Sequence, residues 1–458
     1  MSRFVGSIAV YPARALIVWY LLLVLCGTGL LLLPVSLRPG LPQVSLSDAL
    51  FMATSAACVT GLVVRDVAEF SLTGQIVILL LIQLGGIGIM TIATLFLVNI
   101  TGRQTLRHLA LASQTLGADM NTDLRLLLRG VVGVALTLEA IGFSALTVAR
   151  WGEAPAGEVL WWSLFHAVSA FCNSGLALSP ASLQPWAGVH LITLTMAMLL
   201  IMGGLGYPVL VDLFTNLRHR WPFFGWRELS FHSRLTIIAS LVLLLIGMMV
   251  FLFVEREGTL AGMGIGQASS VAFFESATAR TAGFSVVPTG ALSTLTLFTL
   301  IVLMFIGAGP SSTAGGVKVT TVSALFLYGL SRLRGRRQAT AFGRSISSHL
   351  VAGATVVLIV GVALVTLATA LILLFEDSRV PHTLAGSLFM DVLFETVSAF
   401  ATVGLSTGIT ESLSEPSRLV IVTMMFIGRI GPLALVVLLT PSEHGPDIKY
   451  PEGELQIG

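Results

Sequence analysis

Apolar residues in this chain come in long runs rather than in the alternation of an element with one face in water. Runs long enough to cross a bilayer lie at roughly 15–37, 75–100, 128–149, 188–214, 233–254, 292–329, 349–375 and 416–440. Between alternate pairs sits a half-apolar segment of about 12 residues, too short to span and best read as a re-entrant helix. The pattern predicts a long helix (M1), a short helix, an irregular stretch and a second long helix (M2), four times over. The irregular stretches share one motif: FMATSAACVTGL (51–62), FHAVSAFCNSGL (165–176), FESATARTAGF (274–284) and FETVSAFATVGL (394–405). Each runs from Phe through Ser or Thr and small residues to a Gly, the third copy one residue shorter. One motif at one period marks an internal repeat. The repeats divide as 1–105, 106–220, 221–335 and 336–440, with a tail at 441–458. The expected fold is an all-α polytopic membrane protein. Its four M1–pore-loop–M2 repeats surround one ion pore with pseudo-fourfold symmetry.

Composition agrees. Of 458 residues 55% are hydrophobic and 10% charged, against about 25% charged in soluble domains. A net charge of +2 offers no footprint for a nucleic-acid partner. Three cysteines (Cys26, Cys58, Cys172) form neither a disulfide framework nor a metal spacing. The first apolar run, of about 23 residues, is too long for a signal sequence and is expected to remain as a helix. Arg-rich linkers at 101–129, 216–234 and 331–344 lie opposite acid-rich connections that include Asp66, Glu69, Glu153, Glu255, Glu376 and Glu411. By the positive-inside rule the linkers and both termini are expected to be cytoplasmic in a cell (inner) membrane protein.

Irregular backbone at membrane depth must be buried in protein or line a watery cavity. Here it reads Val59-Thr60-Gly61, Asn173-Ser174-Gly175, Thr281-Ala282-Gly283 and Thr402-Val403-Gly404. Gly permits the positive φ that turns successive carbonyls toward one axis. A ring of carbonyls can replace the hydration shell of a monovalent cation, and short helices aiming their C-terminal ends inward add a favourable field. Tight turns serving packing alone would not need four copies of one motif.

With TARTAGF (278–284), STAGGVKVTT (312–321), FIGRIGPL (426–433) and YPEGELQIG (450–458), nearly the whole chain resembles the K⁺ transporter superfamily that includes Trk, Ktr and plant HKT proteins, above all the Ktr-type membrane subunit. The resemblance implies a single K⁺ pore per chain, with K⁺ held at filter carbonyls around Gly61, Gly175, Gly283 and Gly404. Gly in the first repeat is similar to the K⁺-selective members. It also implies a homodimer in membrane lipid, a cytosolic nucleotide-binding RCK ring (KtrA/TrkA-like) as regulator, and Na⁺ as a candidate activator. The filter lacks the fuller TVGYG pattern of K⁺ channels, so weaker discrimination is expected.

One helix is broken where it should be most apolar. FIGAGPSSTAGGVKVTT (305–321) places Gly309, Pro310, Ser311, Ser312, Thr313, Ala314, Gly315, Gly316 and Lys318 inside the third repeat's second helix, as an intramembrane loop over 307–317. Small and hydroxylated residues can sit beside a moving ion, and the resemblance implies that this loop is a gate. A phosphate-binding loop is excluded, since the spacing is not GxxxxGK[ST]. Charges at membrane depth are functional by default. Arg429, in the place of a packing Gly of LGGIG (84–88) and MGGLG (202–206), is expected to act as a barrier or gate, or to pair with an acid such as Glu395. Glu275 and Glu395 occupy equivalent places and are expected to support the filter through backbone hydrogen bonds, with Arg280 doing so through a pore-helix acid. Glu139 is a further mid-helix acid, either an ion or proton site or a buried structural partner. The alternative function is a Na⁺- or H⁺-driven secondary symporter. Carriers of that class usually have inverted repeats, whereas these run parallel. No catalytic constellation argues for an enzyme.

Overall fold

A computed structural model describes residues 12–101, 120–220, 225–336, 338–377 and 386–431. The tail 441–458 and most of the first Arg-rich linker fall outside them.

The first repeat comprises α1 (Pro12–Leu31), the short α2 (Leu46–Ala57) and α3 (Leu72–Thr101). The second has α4 (Met120–Arg150), α5 (Ala156–Phe171), α6 (His190–Leu205) and α7 (Tyr207–Arg220). In the third are α8 (Phe231–Val254), α9 (Ile265–Thr278), α10 (Thr294–Phe305) and α11 (Val319–Leu333). The fourth adds α12 (Ser348–Asp377), α13 (Leu388–Ala401) and α14 (Glu415–Ile430). One two-stranded antiparallel hairpin, β1 (Ala339–Ala341) with β2 (Arg344–Ile346), sits in an Arg-rich linker that the apolar pattern left structureless.

Among the described residues four helices are long and apolar enough to cross a membrane, at 72–91, 129–150, 231–254 and 348–376. Only 22% of the apolar window of α8 is buried, and Leu241, Leu245, Met249 and Phe253 stand exposed along it. In a protein with this composition, such a face is solvated by lipid. The short helices are the reverse: Phe51–Ala57 at the end of α2 and Phe394–Ala401 in α13 are buried throughout. The core is therefore built around the re-entrant elements, with the long helices as a wall.

The expected single span at 188–214 is two helices. α6 and α7 meet at an angle of 107°. Gly206 adopts φ +91 at the break, Pro208 follows it, and the Tyr207 N–H leaves the helical ladder to donate to Ser311 O at 3.1 Å. Gly431 ends α14 with the same φ of +91. Gly88, in the matching place of the first repeat, stays helical within α3.

Second helices approach the short helices through glycine. A Cβ on Gly85, Gly203 or Gly428 would collide with the carbonyl oxygen of Ala57, Phe171 or Phe400 respectively. These carbonyls lie at the C-terminal ends of α2, α5 and α13, so the three contacts fix those short helices by their C-terminal ends against α3, α6 and α14.

Candidate functional site

Each short helix ends in the same backbone manoeuvre. Val59, Asn173, Thr281 and Thr402 have φ of 53, 59, 69 and 50, and two residues later Gly61, Gly175, Gly283 and Gly404 have φ of 101, 72, 79 and 95. Left-handed conformations at β-branched residues are uncommon and persist only where the surroundings hold them. The repeat's hydroxyl residue does the holding. Ser55 and Ser398 accept the N–H of Gly61 and Gly404 at 3.0 Å. Ser169 and Thr278 instead donate to Leu176 O at 2.8 Å and Phe284 O at 2.6 Å. The backbone adds Thr60 N–H to Ser55 O, Ser174 N–H to Ser169 O and Val403 N–H to Ser398 O, all at 2.8 Å. This hydroxyl was visible as a fixed position of the motif, but its role as the clasp was not.

The four strands form a closed ring. A Cβ on Gly61 would strike Ser174 O, one on Gly175 would lie 2.8 Å from Ala282 O, one on Gly283 would strike Val403 O, and one on Gly404 would strike Thr60 O. Each glycine thus abuts the carbonyl preceding the next repeat's glycine, and the fourth returns to the first. Thr60, Asn173, Ser174, Thr281 and Thr402 carry buried side-chain polar atoms with no protein hydrogen-bond partner. Unpaired polar atoms are costly in a dry core.

The loop between α10 and α11 lies against this ring. A bridge between Ile306 and Val317 closes its neck. Toward the second repeat, Gly309 N–H donates to Gly204 O at 2.8 Å, Thr313 N–H to Gly203 O at 3.3 Å, and Thr313 Oγ1 to Phe171 O at 3.3 Å. Toward the fourth, a Cβ on Gly315 would meet Thr402 Oγ1 and one on Gly316 would lie 3.1 Å from Ala401 Cβ. Ser312 Oγ closes a turn onto Gly309 O at 2.6 Å, and Pro310 and Ser311 form the bend beside Gly206. Lys318 Nζ folds back to donate to Ala314 O at 2.5 Å.

Arg429 is fully buried, and among the described residues no acid pairs with it. Its guanidinium donates to Thr313 O in the loop, to Gly85 O at 3.0 Å and to Tyr20 Oη at 3.1 Å. The pairing with Glu395 does not occur. Glu275 accepts from the N–H groups of Val286 (2.8 Å) and Val287 (3.3 Å), just beyond the third strand. Glu395, in the same slot, takes the Thr410 hydroxyl instead, because Ser406 Oγ already holds the Gly408 N–H at 2.9 Å. Arg280 likewise pairs with no carboxylate among the described residues; it donates to Ser240 O (3.1 Å) and Oγ (3.0 Å) on α8.

The profile of the family described as "TrkH: Cation transport protein" matches residues 30–445. The chain belongs to the TrkH family. This TrkH-family chain is 38% identical to the Ktr system potassium uptake protein B of Vibrio alginolyticus, over 97% of its own length and 94% of that protein's. It is 33% identical to the protein of the same name from Bacillus subtilis, over 98% and 97%. The potassium/sodium uptake protein NtpJ of Enterococcus hirae is likewise 33% identical, over 98% and 97%. Its fold matches the crystal structure of the potassium transporter TrkH from Vibrio parahaemolyticus with a TM-score of 0.72 at 18% identity, covering 93% of this chain and 84% of that one. It is a multi-pass membrane protein of a cation transport family.

Proposed function

We propose that this chain is the ion-conducting subunit of a K⁺ uptake system, in which K⁺ passes in channel-like fashion between the four filter strands and the 307–317 loop gates the path. The observation that carries this reading is the closed ring in which each of Gly61, Gly175, Gly283 and Gly404 abuts the carbonyl of the next strand. Carbonyl rings replace the water around a monovalent cation, and the helix C-termini behind them favour positive charge. The potassium uptake proteins named above support K⁺ as the transported ion, and the potassium/sodium protein motivates Na⁺ as activator. The loop's bonds to Gly203, Gly204 and Arg429 support its role as a gate that a displacement of α11 would release. On this reading a cytosolic nucleotide-binding ring pulls α11 through the basic linker that follows it. Two chains pair in the inner membrane with both termini cytoplasmic, each keeping its own pore.

The test is K⁺ flux from liposomes holding the purified chain. Flux down a K⁺ gradient with no co-substrate is expected, rising when the nucleotide-binding partner and ATP are added. Flux that appears only with an imposed Na⁺ or H⁺ gradient would replace the pore with a symporter.

A further inference from the structure

One slot of the short helix holds a carboxylate in two repeats: Glu275 braces the third strand from outside through the Val286 and Val287 N–H groups, and Glu395, behind the fourth, takes the Thr410 hydroxyl. In the second repeat that slot holds His166, whose ring nitrogen bonds back to Trp162 O of its own helix at 2.8 Å and so supports no strand. A carboxylate reaches the second strand from elsewhere. Glu139 lies mid-way along the apolar span 129–150 of α4 and is 5% exposed. Both its oxygens accept from Gln83 Nε2 on α3, at 3.1 and 2.9 Å. Cys172, which caps α5 immediately before the second strand, has its Sγ 3.6 Å from Gln83 Oε1 and 3.9 Å from Glu139 Oε1. The thiol cannot retreat, since a Cβ on Gly86 would lie 2.6 Å from Sγ. Among the described residues no cation pairs with Glu139.

A carboxyl group at this depth is costly, and packing alone would be served by Leu. Asn173 follows Cys172 directly, with φ +59 and an amide that has no protein partner. Its own backbone N–H donates to Ala170 O at 3.0 Å, and the rest of the restraint on this left-handed residue comes through its neighbours. We infer that Glu139 is the missing brace of the second strand, a positioning residue that acts through Gln83 and Cys172 to set discrimination between K⁺ and Na⁺. The inference rests on the filter reading proposed above.

The experiment measures the K⁺/Na⁺ permeability ratio of the full chain in liposomes. Cys172→Ala and Glu139→Leu should each lower the ratio by about threefold or more, the scale of one lost hydrogen bond. Cys172→Ser keeps a donor and should retain the parental ratio. The double variant Gln83→Leu/Glu139→Leu leaves only the weakly polar Cys172 thiol without a partner, and should fold while keeping the lowered ratio. Parental ratios in Cys172→Ala and the double variant, or lowered thermal stability without a changed ratio, would overturn the inference. Gly175→Ser separates the two readings. If it alters the ratio while the brace variants do not, only the inference fails; if none alters it, the filter reading fails too.

Discussion

Replacing Arg429 with Met should open the pore. The guanidinium makes one bond to the loop, at Thr313 O, and its other two go to Gly85 O and Tyr20. Gly85 O keeps the Tyr20 hydroxyl at 2.6 Å in the variant, so the substitution strands only Thr313 O. Hydrogen bonds from charged donors contribute about 1.5–3 kcal/mol, and neutral ones about 1 kcal/mol. Four neutral bonds also hold the loop to the second repeat: Gly309 to Gly204, Thr313 N–H to Gly203, Thr313 Oγ1 to Phe171, and Tyr207 to Ser311. The arginine is therefore the strongest single tether. If it exists only in the closed state, its loss shifts the equilibrium by roughly 10- to 150-fold toward open. Open probability at symmetric K⁺ is the quantity to read, because conductance would also respond to removal of a nearby charge. Arg429→Lys separates the causes. Lysine keeps the charge but not the forked geometry, so a tether predicts openings between parent and Met, whereas a pure electrostatic barrier predicts parental closure. Unchanged or lowered open probability in a Met variant of parental stability would refute the tether.

Deleting residues within Gly309–Gly316 should raise K⁺ flux and weaken its dependence on the regulatory partner, and Lys318→Ala should do so more mildly because its ammonium ties carbonyls of the loop itself, Ala314 O and Gly315 O; parental flux in both would move the gate elsewhere. Gly61→Ser or Gly283→Ser should lower K⁺/Na⁺ discrimination, since the added Cβ strikes a carbonyl of the next strand; a full set of glycine variants with parental ratios would remove the filter. Outside the membrane span, Glu255 accepts from Ser293 N–H (2.9 Å) and Thr296 Oγ1 (2.6 Å), tying the end of α8 to the start of α10. Burial alone would raise its pKa, but the hydrogen bonds from Thr296, Ser293 and Thr259 outweigh it and hold the carboxyl below its ordinary 4.5. Its contribution to stability should be full above about 4.5 and fade as pH falls through the depressed value, a slope that Glu255→Gln should lack in thermal unfolding against pH.

The repeats were legible because each must place a glycine beside its neighbour, and a glycine after Phe, hydroxyl and small residues leaves a mark in one dimension. The left-handed Val59 and Thr402 left none, since nothing in a β-branched residue announces positive φ; the bonds that Ser55 and Ser398 make to the residues following them hold it. The bend at Gly206 was hidden for a related reason. Gly88 occupies the same motif and stays helical, so what decides is whether a partner, here Ser311 O, is ready to take the freed N–H. Partner choice was the least readable. Glu275 and Glu395 share a slot but bond differently because of Ser406, and Arg280 finds its acceptors on Ser240, forty residues earlier in the chain. Glu139 stood out by its charge, yet the thiol and amide it meets come from two other helices.

The loop between α10 and α11 also bears on why these four units are one polypeptide. In a ring of identical subunits every feature is present four times, and four such loops could not share one axis. Joining the units covalently frees each quarter to differ, so that, on the gating proposed above, one carries a movable plug while its flanking quarters supply the sockets that seat it. It also changes the arithmetic of substitution. A residue altered here is altered once per pathway, so its effect on permeation need not be multiplied fourfold, and the two flanks of the plug can be tuned separately.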